Sequence, residues 1–176
     1  GKTALVTGAS RGIGRAIARR ATGFSMPVIY HNRTRLLADL EGGARHVDLP
    51  ELLRESDHLV LVVPYSPEVH HIIDVAALAQ MKPTAVLINI ARGTIVDEPA
   101  LVDALQRGVI RGAGLDVFAD EPNVPPPLLA MDNVILLPHV GSATRETRQA
   151  MADLCRANLD AWFAGQPVPA RIPEFA

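Results

Sequence analysis

Glycines at positions 8, 12 and 14, in the run Gly8-Ala-Ser-Arg-Gly12-Ile-Gly14, carry the first chemical signal in the chain. Glycine at these spacings lets the backbone turn sharply, come close to a bulky anion and then pack a helix tightly on a sheet. The apolar run Thr3–Thr7 precedes the loop, and the helix-like stretch Gly12–Ala21 follows it. Unpaired N–H groups and the positive end of a helix dipole would then face the anion. The chemistry expected is non-covalent capture of a pyrophosphate by Gly8, Ser10, Arg11, Gly12, Ile13 and Gly14. A glycine cluster alone is weak evidence, and the flanking strand and helix make it specific.

A second group of residues follows the apolar run Val28–His31, which leads into Asn32-Arg33-Thr34-Arg35. In dinucleotide-binding folds an acidic residue here accepts hydrogen bonds from the ribose 2′-hydroxyl. This chain has no carboxylate there, and Arg33, between Asn32 and Thr34, can pair with a 2′-phosphate and stack on adenine. The cofactor expected is NADP(H), with NAD as the alternative. The competing reading makes Arg33 and Arg35 solvated surface cations.

Elements at the right places must hold these groups. Short apolar runs at Thr3–Thr7, Val28–His31, Leu59–Pro64, Ala85–Ala91, Gly112–Val117 and Val134–Pro138 read as strands, with a weak one near Arg45–Val47. They are apolar on both faces, as strands covered by helices on each side should be. Helices are expected at Gly12–Ala21, Pro50–Glu55, Val75–Met81, Glu98–Arg107 and Ser142–Ala164, with Ser142 or Thr144 capping the last. Asp97 and Glu98 read as helix N-terminal charges. Asn123–Pro127 reads as a surface loop, and the tail 166–176 as extended. The alternation predicts an α/β fold: a doubly wound, mostly parallel sheet in a three-layer Rossmann arrangement, as a single domain over 1–176. Ligands of such sheets bind at the carboxyl ends of the strands.

The 176 residues carry a formal net charge of −2, with 48% hydrophobic and 20% charged residues. That balance argues against a nucleic-acid or membrane-surface partner. No apolar run approaches the roughly 18 residues of a membrane span. The single cysteine, Cys155, falls on an apolar helix face with Met151, Leu154, Leu159 and Trp162 and is expected in the core. A reduced, cytoplasmic setting follows, and no signal peptide is read at Gly1-Lys2-Thr3. His70 and His71 have no partner at metal-ligand spacing, so no metal is expected.

Residues 1 to about 20, GKTALVTGASRGIGRAIARR, resemble the opening of the short-chain dehydrogenases/reductases, T-G-x-x-x-G-x-G. The Tyr-x-x-x-Lys pair of that family is missing: Tyr30 and Tyr65 are followed four positions later by Thr34 and Val69.

From about 21 to 165 the chain resembles the D-2-hydroxyacid dehydrogenases, in particular the glyoxylate/hydroxypyruvate reductase branch. Four segments carry the likeness: VVPYSPEVHHII, INIARGTIVDEPAL, GAGLDVFADEPN and LLPHVGSATRET. The resemblance implies a catalytic set of Arg92, Glu121 and His139. Arg92 would bind the carboxylate and carbonyl of a 2-oxoacid, and His139 would protonate the carbonyl oxygen. Glu121 would favour the imidazolium of that histidine. Asp116 would hold the nicotinamide carboxamide, and Pro64, Ala91 and Gly141 would approach the cofactor. The bland alternatives are a structural histidine, a surface ion pair for Arg92 and a loop carboxylate for Glu121.

The family's separate substrate domain is absent from the 176 residues, and the two resemblances meet near residues 15–23, which suggests an engineered chimera. The function expected is therefore an NADP(H)-binding domain with little or no turnover. The alternatives are an NADPH-dependent reductase of glyoxylate or hydroxypyruvate, and a folding scaffold without a working ligand site. The partners expected are the dinucleotide and a 2-oxoacid; oligomeric state is left open.

Overall fold

Apolar residues that alternate between two sheet faces organise the chain. In β2 (Val28–His31), Val28 and Tyr30 enter one core cluster with Ala21 and Ala44, whereas Ile29 enters another with Leu52, Leu59 and Leu87. A strand sends successive side chains to opposite faces, so a cluster on each face means that both are covered. The computed structural model describes residues 2–7 and 12–171, and of 4–7 the backbone only.

The chain divides into two compact units, Gly1–Pro138 and His139–Ala176. The first holds seven strands: β1 (Ala4–Thr7), β2, β3 (Arg45–His46), β4 (His58–Leu61), β5 (Val86–Asn89), β6 (Gly112–Leu115) and β7 (Val134–Leu136). All pair in parallel, in the order β3-β2-β1-β4-β5-β6-β7. This is a Rossmann-like α/β fold, and its strand order reverses between β1 and β4, the place where sheets of this kind bind ligands at their carboxyl ends. The weak strand expected near Arg45–Val47 exists as β3, and the run expected at Leu59–Pro64 leaves the sheet after Leu61.

The helices of this unit are α1 (Gly12–Gly23), α2 (Ala38–Glu41), α3 (Leu49–Glu55), α4 (Val75–Gln80), α5 (Glu98–Gln106) and α6 (Pro126–Leu129). Right-handed crossovers place α1 and α2 on one face of the sheet and α3 to α6 on the other. The two core clusters divide accordingly: Ile17, Ala18 and Ala21 of α1 pack in one, and Leu52, Leu78, Leu101 and Leu128 in the other. Three of these helices start on an aspartate cap. Asp48 accepts the Glu51 N–H at 2.8 Å, Asp74 that of Ala77 at 2.8 Å and Asp97 that of Ala100 at 3.1 Å. Each cap satisfies a donor that the first helical turn leaves open. The loop expected at Asn123–Pro127 is a loop only in part, because Pro126 and Pro127 open α6. Proline suits a first turn, where its missing N–H is no loss, and Leu128 anchors the turn in the core.

The second unit carries α7 (Arg145–Phe163), capped by Thr144, whose hydroxyl accepts the Thr147 N–H at 3.1 Å. The tail folds back along it: the Asn158 side chain accepts the Ala170 N–H at 3.0 Å and donates to the Ala170 carbonyl at 3.4 Å. Cys155 is exposed rather than in a core, as are Met151, Leu154, Leu159 and Trp162. Helical periodicity identifies a face that gains by burial; it does not guarantee that the same chain buries it. No helix among the described residues is long and apolar enough to cross a membrane. Nor do the described residues contain a group of three or more His, Cys, Asp or Glu that could hold a metal ion.

Candidate functional site

Among the described residues, the expected ligand residues of the first unit follow strands, at the carboxyl edge of the sheet. After β1, Gly8, Ser10 and Arg11 lie outside the described residues. Gly12 opens α1 at φ 51°, a conformation that side chains disfavour, and an added Cβ would meet nothing within 4 Å. Its glycine requirement is thus conformational, and the space above it is open. Ile13 is exposed and Gly14 is buried.

After β2 the two candidate arginines have different employment. Arg35 donates from Nε to Glu41 Oε1 at 2.8 Å and from Nη2 to Oε2 at 3.3 Å. The buried Tyr30 hydroxyl donates to the same Oε1 at 2.8 Å and accepts the Leu36 N–H at 3.0 Å. These bonds, that from Arg35 first, hold the Glu41 carboxyl below its ordinary range. Arg35 is therefore a strut for the turn beyond β2. Arg33 is exposed, and its charge reaches Glu68, whose carboxyl is lowered first by the Ser66 hydroxyl and least by Arg33. Thr34 is exposed beside it. The amide nitrogen of Asn32, buried at the end of β2, has no hydrogen-bond partner among the described residues. Buried donors are normally paired, so an unpaired one at the ribose position of a dinucleotide fold is suited to a polar acceptor on a ligand.

After β4, Pro64 and Tyr65 are exposed, and the Tyr65 hydroxyl lies 3.3 Å from His70 Nδ1. The rings of His70 and His71 stack with centroids 4.0 Å apart. The His71 N–H donates to the Thr94 carbonyl at 2.9 Å, and Ile73 bridges to Val96, which ties this loop to the one after β5.

That next loop presents Arg92. Asn89, the last residue of β5 and 1% exposed, accepts the Ala91 N–H at 3.1 Å and donates to the Arg92 carbonyl at 3.0 Å. Ala91 is buried, whereas the Arg92 side chain is exposed and donates from Nη1 to the Ala91 carbonyl at 2.6 Å. Gly93 then begins a short 3-10 turn, Gly93–Ile95, with its α-carbon against the backbone of Phe118 and Ala119.

The loop after β6 starts with Asp116, 6% exposed, whose N–H donates to the Asn89 carbonyl at 3.0 Å. Glu121 Oε1 accepts the Phe118 N–H at 3.0 Å, and Glu98 Oε1 accepts that of Ala119 at 2.8 Å. Glu98 is in the first turn of α5 as expected, and it also pins this loop. The fold thus brings the loops of Arg92 and Glu121 into contact. Sequence reasoning assigned Asn89 no role and read Glu98 only as a helix N-terminal charge; the one signal for a further part was that both lie within the segment INIARGTIVDEPAL. His139 and Gly141 belong to the second unit, are exposed there, and His139 adopts φ 53°. A positive φ on a residue other than glycine is uncommon and clusters at functional sites.

A family model described as D-isomer specific 2-hydroxyacid dehydrogenase, NAD binding domain, matches residues 1–141. A glyoxylate reductase of Thermococcus onnurineus is 50% identical over 173 residues, 98% of this chain and 52% of the relative. The glyoxylate/hydroxypyruvate reductase B of Pectobacterium carotovorum is 52% identical over 168 residues, covering 94% and 52%. Among solved structures, an NADPH-dependent glyoxylate/hydroxypyruvate reductase from Sinorhizobium meliloti, in complex with NADP and malonate, superposes with a TM-score of 0.91. It is 43% identical and covers 99% of this chain and 54% of its own. The chain spans about half the length of the curated relatives that it matches.

Proposed function

The chain belongs to the D-isomer specific 2-hydroxyacid dehydrogenases, through their NAD-binding domain, and from that premise we propose that it binds NADP(H). One observation carries the reading: the residues after β2 lack a carboxylate, and they join an exposed Arg33 to the unpaired buried amide of Asn32. A 2′-phosphate is a strong acceptor, and its charge suits a guanidinium better than any carboxylate would. The employment of Arg35 by Glu41 leaves Arg33 to meet it. The relative from Sinorhizobium meliloti, solved with NADP, supports the same choice.

The pyrophosphate is assigned to residues 8–14, with the longer glycine spacing of the short-chain dehydrogenases. On this reading the segment 1–20 follows that pattern and joins the hydroxyacid dehydrogenase sequence near residue 21, as in a chimera. The 176 residues act as a binding module with little turnover.

Titration calorimetry with NADPH and NADH tests this reading. Micromolar binding with NADPH preferred is expected, and Arg33→Asp should reverse the preference. A flat titration with both cofactors, or a preference indifferent to Arg33→Asp, overturns it.

A second reading, reduction of glyoxylate or hydroxypyruvate, is favoured by the contact between the loops of Arg92 and Glu121. The bound nicotinamide would supply the two-electron reductant. Arg92 would hold the 2-oxoacid carboxylate, His139 would deliver a proton to the carbonyl oxygen, and Glu121 would favour the protonated imidazole. Asp116 would orient the carboxamide, while Pro64, Ala91 and Gly141 would line the cofactor. NADPH oxidation followed at 340 nm with glyoxylate, and lost in His139→Ala, would establish this reading. Cofactor binding without oxidation would remove it.

A further inference from the structure

We propose that Asn89 is a positioning residue for the 2-oxoacid carboxylate site, acting through the main chain of Arg92; this rests on the reading of Arg92 as the carboxylate ligand. Asn89 is the last residue of β5, in register with Leu61 of β4 on one side and Leu115 of β6 on the other. At 1% exposure its carboxamide is closed to water, and both of its ends are used on the next three residues. Oδ1 accepts the Ala91 N–H at 3.1 Å, and Nδ2 donates to the Arg92 carbonyl at 3.0 Å. The Arg92 carbonyl also accepts the Ile95 N–H at 3.2 Å. The backbone carbonyl of Asn89 takes the Asp116 N–H, and the Ile90 N–H goes to the Leu61 carbonyl at 3.3 Å. One planar group in the middle of the sheet thus fixes where the chain leaves β5 and where the Arg92 α-carbon stands.

Few other side chains meet these demands. Aspartate has the shape but would turn a carboxylate oxygen toward the Arg92 carbonyl, setting acceptor against acceptor. Leucine has the volume but would leave the buried Ala91 N–H without a partner. Serine is too short to span both groups. The guanidinium needs this support because a bidentate grip on a planar carboxylate tolerates little misplacement. Asn89 does not face the ligand, so its effect must pass through Arg92.

The test is a double-mutant cycle read by oxamate, an isostere of 2-oxoacids, binding to NADPH-saturated protein. Saturation-transfer NMR extends the range to millimolar affinities. Asn89→Asp should weaken oxamate at least tenfold while NADPH affinity stays within twofold. In an Arg92→Ala background the same substitution should have no further effect on oxamate, because independent effects add whereas those acting through one group do not. Asn89→Ser provides the same cycle should the aspartate variant fail to fold. Undiminished oxamate affinity in a folded Asn89 variant, or a full effect persisting without Arg92, overturns this proposal alone. Failure of the unaltered protein to bind oxamate with NADPH overturns the reading of Arg92, and this proposal with it.

Discussion

Gly93 stands with its α-carbon against the carbonyl of Phe118, so closely that no side chain fits between the loops after β5 and β6. The obstacle is backbone, which cannot swing away as a side-chain tip can. Gly93→Ala should force the two loops apart and destabilise the protein by about 1–3 kcal/mol, the range for overpacking. Urea unfolding would read this as a lower midpoint. Gly114→Ala is the control, since the nearest atom to its added Cβ is Ile88 Cγ1 at 3.9 Å, an ordinary contact. That variant should hold or gain stability, and equal losses at both positions would count against the contact.

Asn32 offers a test in which stability and binding move apart. Its buried amide nitrogen has no partner among the described residues, so Asn32→Ala removes no hydrogen bond through that atom from the free protein. The thermal midpoint without ligand should stay near that of the unaltered chain. NADPH affinity should fall about tenfold, the equivalent of one net hydrogen bond. The rise in midpoint on adding NADPH should shrink accordingly. A lower midpoint in free protein, with affinity unchanged, would make Asn32 a structural residue only.

Stability against acid should depend on Asp57, at the opposite end of the sheet. Its carboxyl accepts the Thr3 N–H at 2.7 Å and the Lys82 ammonium at 3.1 Å. The Thr3 bond is the main reason its folded pKa lies below the ordinary value, with Lys82 adding to it. A depressed carboxyl stabilises the fold above its unfolded pKa, about 3.9, and the benefit disappears as pH falls through the folded value. The destabilisation caused by Asp57→Asn should therefore be full at neutral pH and shrink below about pH 4. Urea titrations across that range would show it, and a difference independent of pH would contradict the assignment.

Much of the fold was legible because its signals are local. Runs such as Leu59–Leu61, apolar on both faces, announce a parallel sheet covered by helices, and the aspartates at 48, 74 and 97 mark helix starts within three residues of the donors they cap. For the candidate site, a motif names Arg92 and His139, and the loops that carry them are the ones the motif places after strands. The partners of Asn89 and Glu98 were not legible, because they are set by where the loops travel after leaving the strands. The Glu98 bond to Ala119 joins positions 21 residues apart.

The sequence by itself determined the α/β class, the parallel alternation and the absence of a carboxylate after β2, since each depends on composition or short-range periodicity. Only the tertiary structure divided Arg33 from Arg35, by bringing Glu41 onto the latter. It alone pressed Gly93 against Phe118 and left Cys155 exposed instead of buried. Residue types state what a side chain can bind or would gain by burying. Which partner comes within reach is decided by chain topology, which joins groups far apart in sequence.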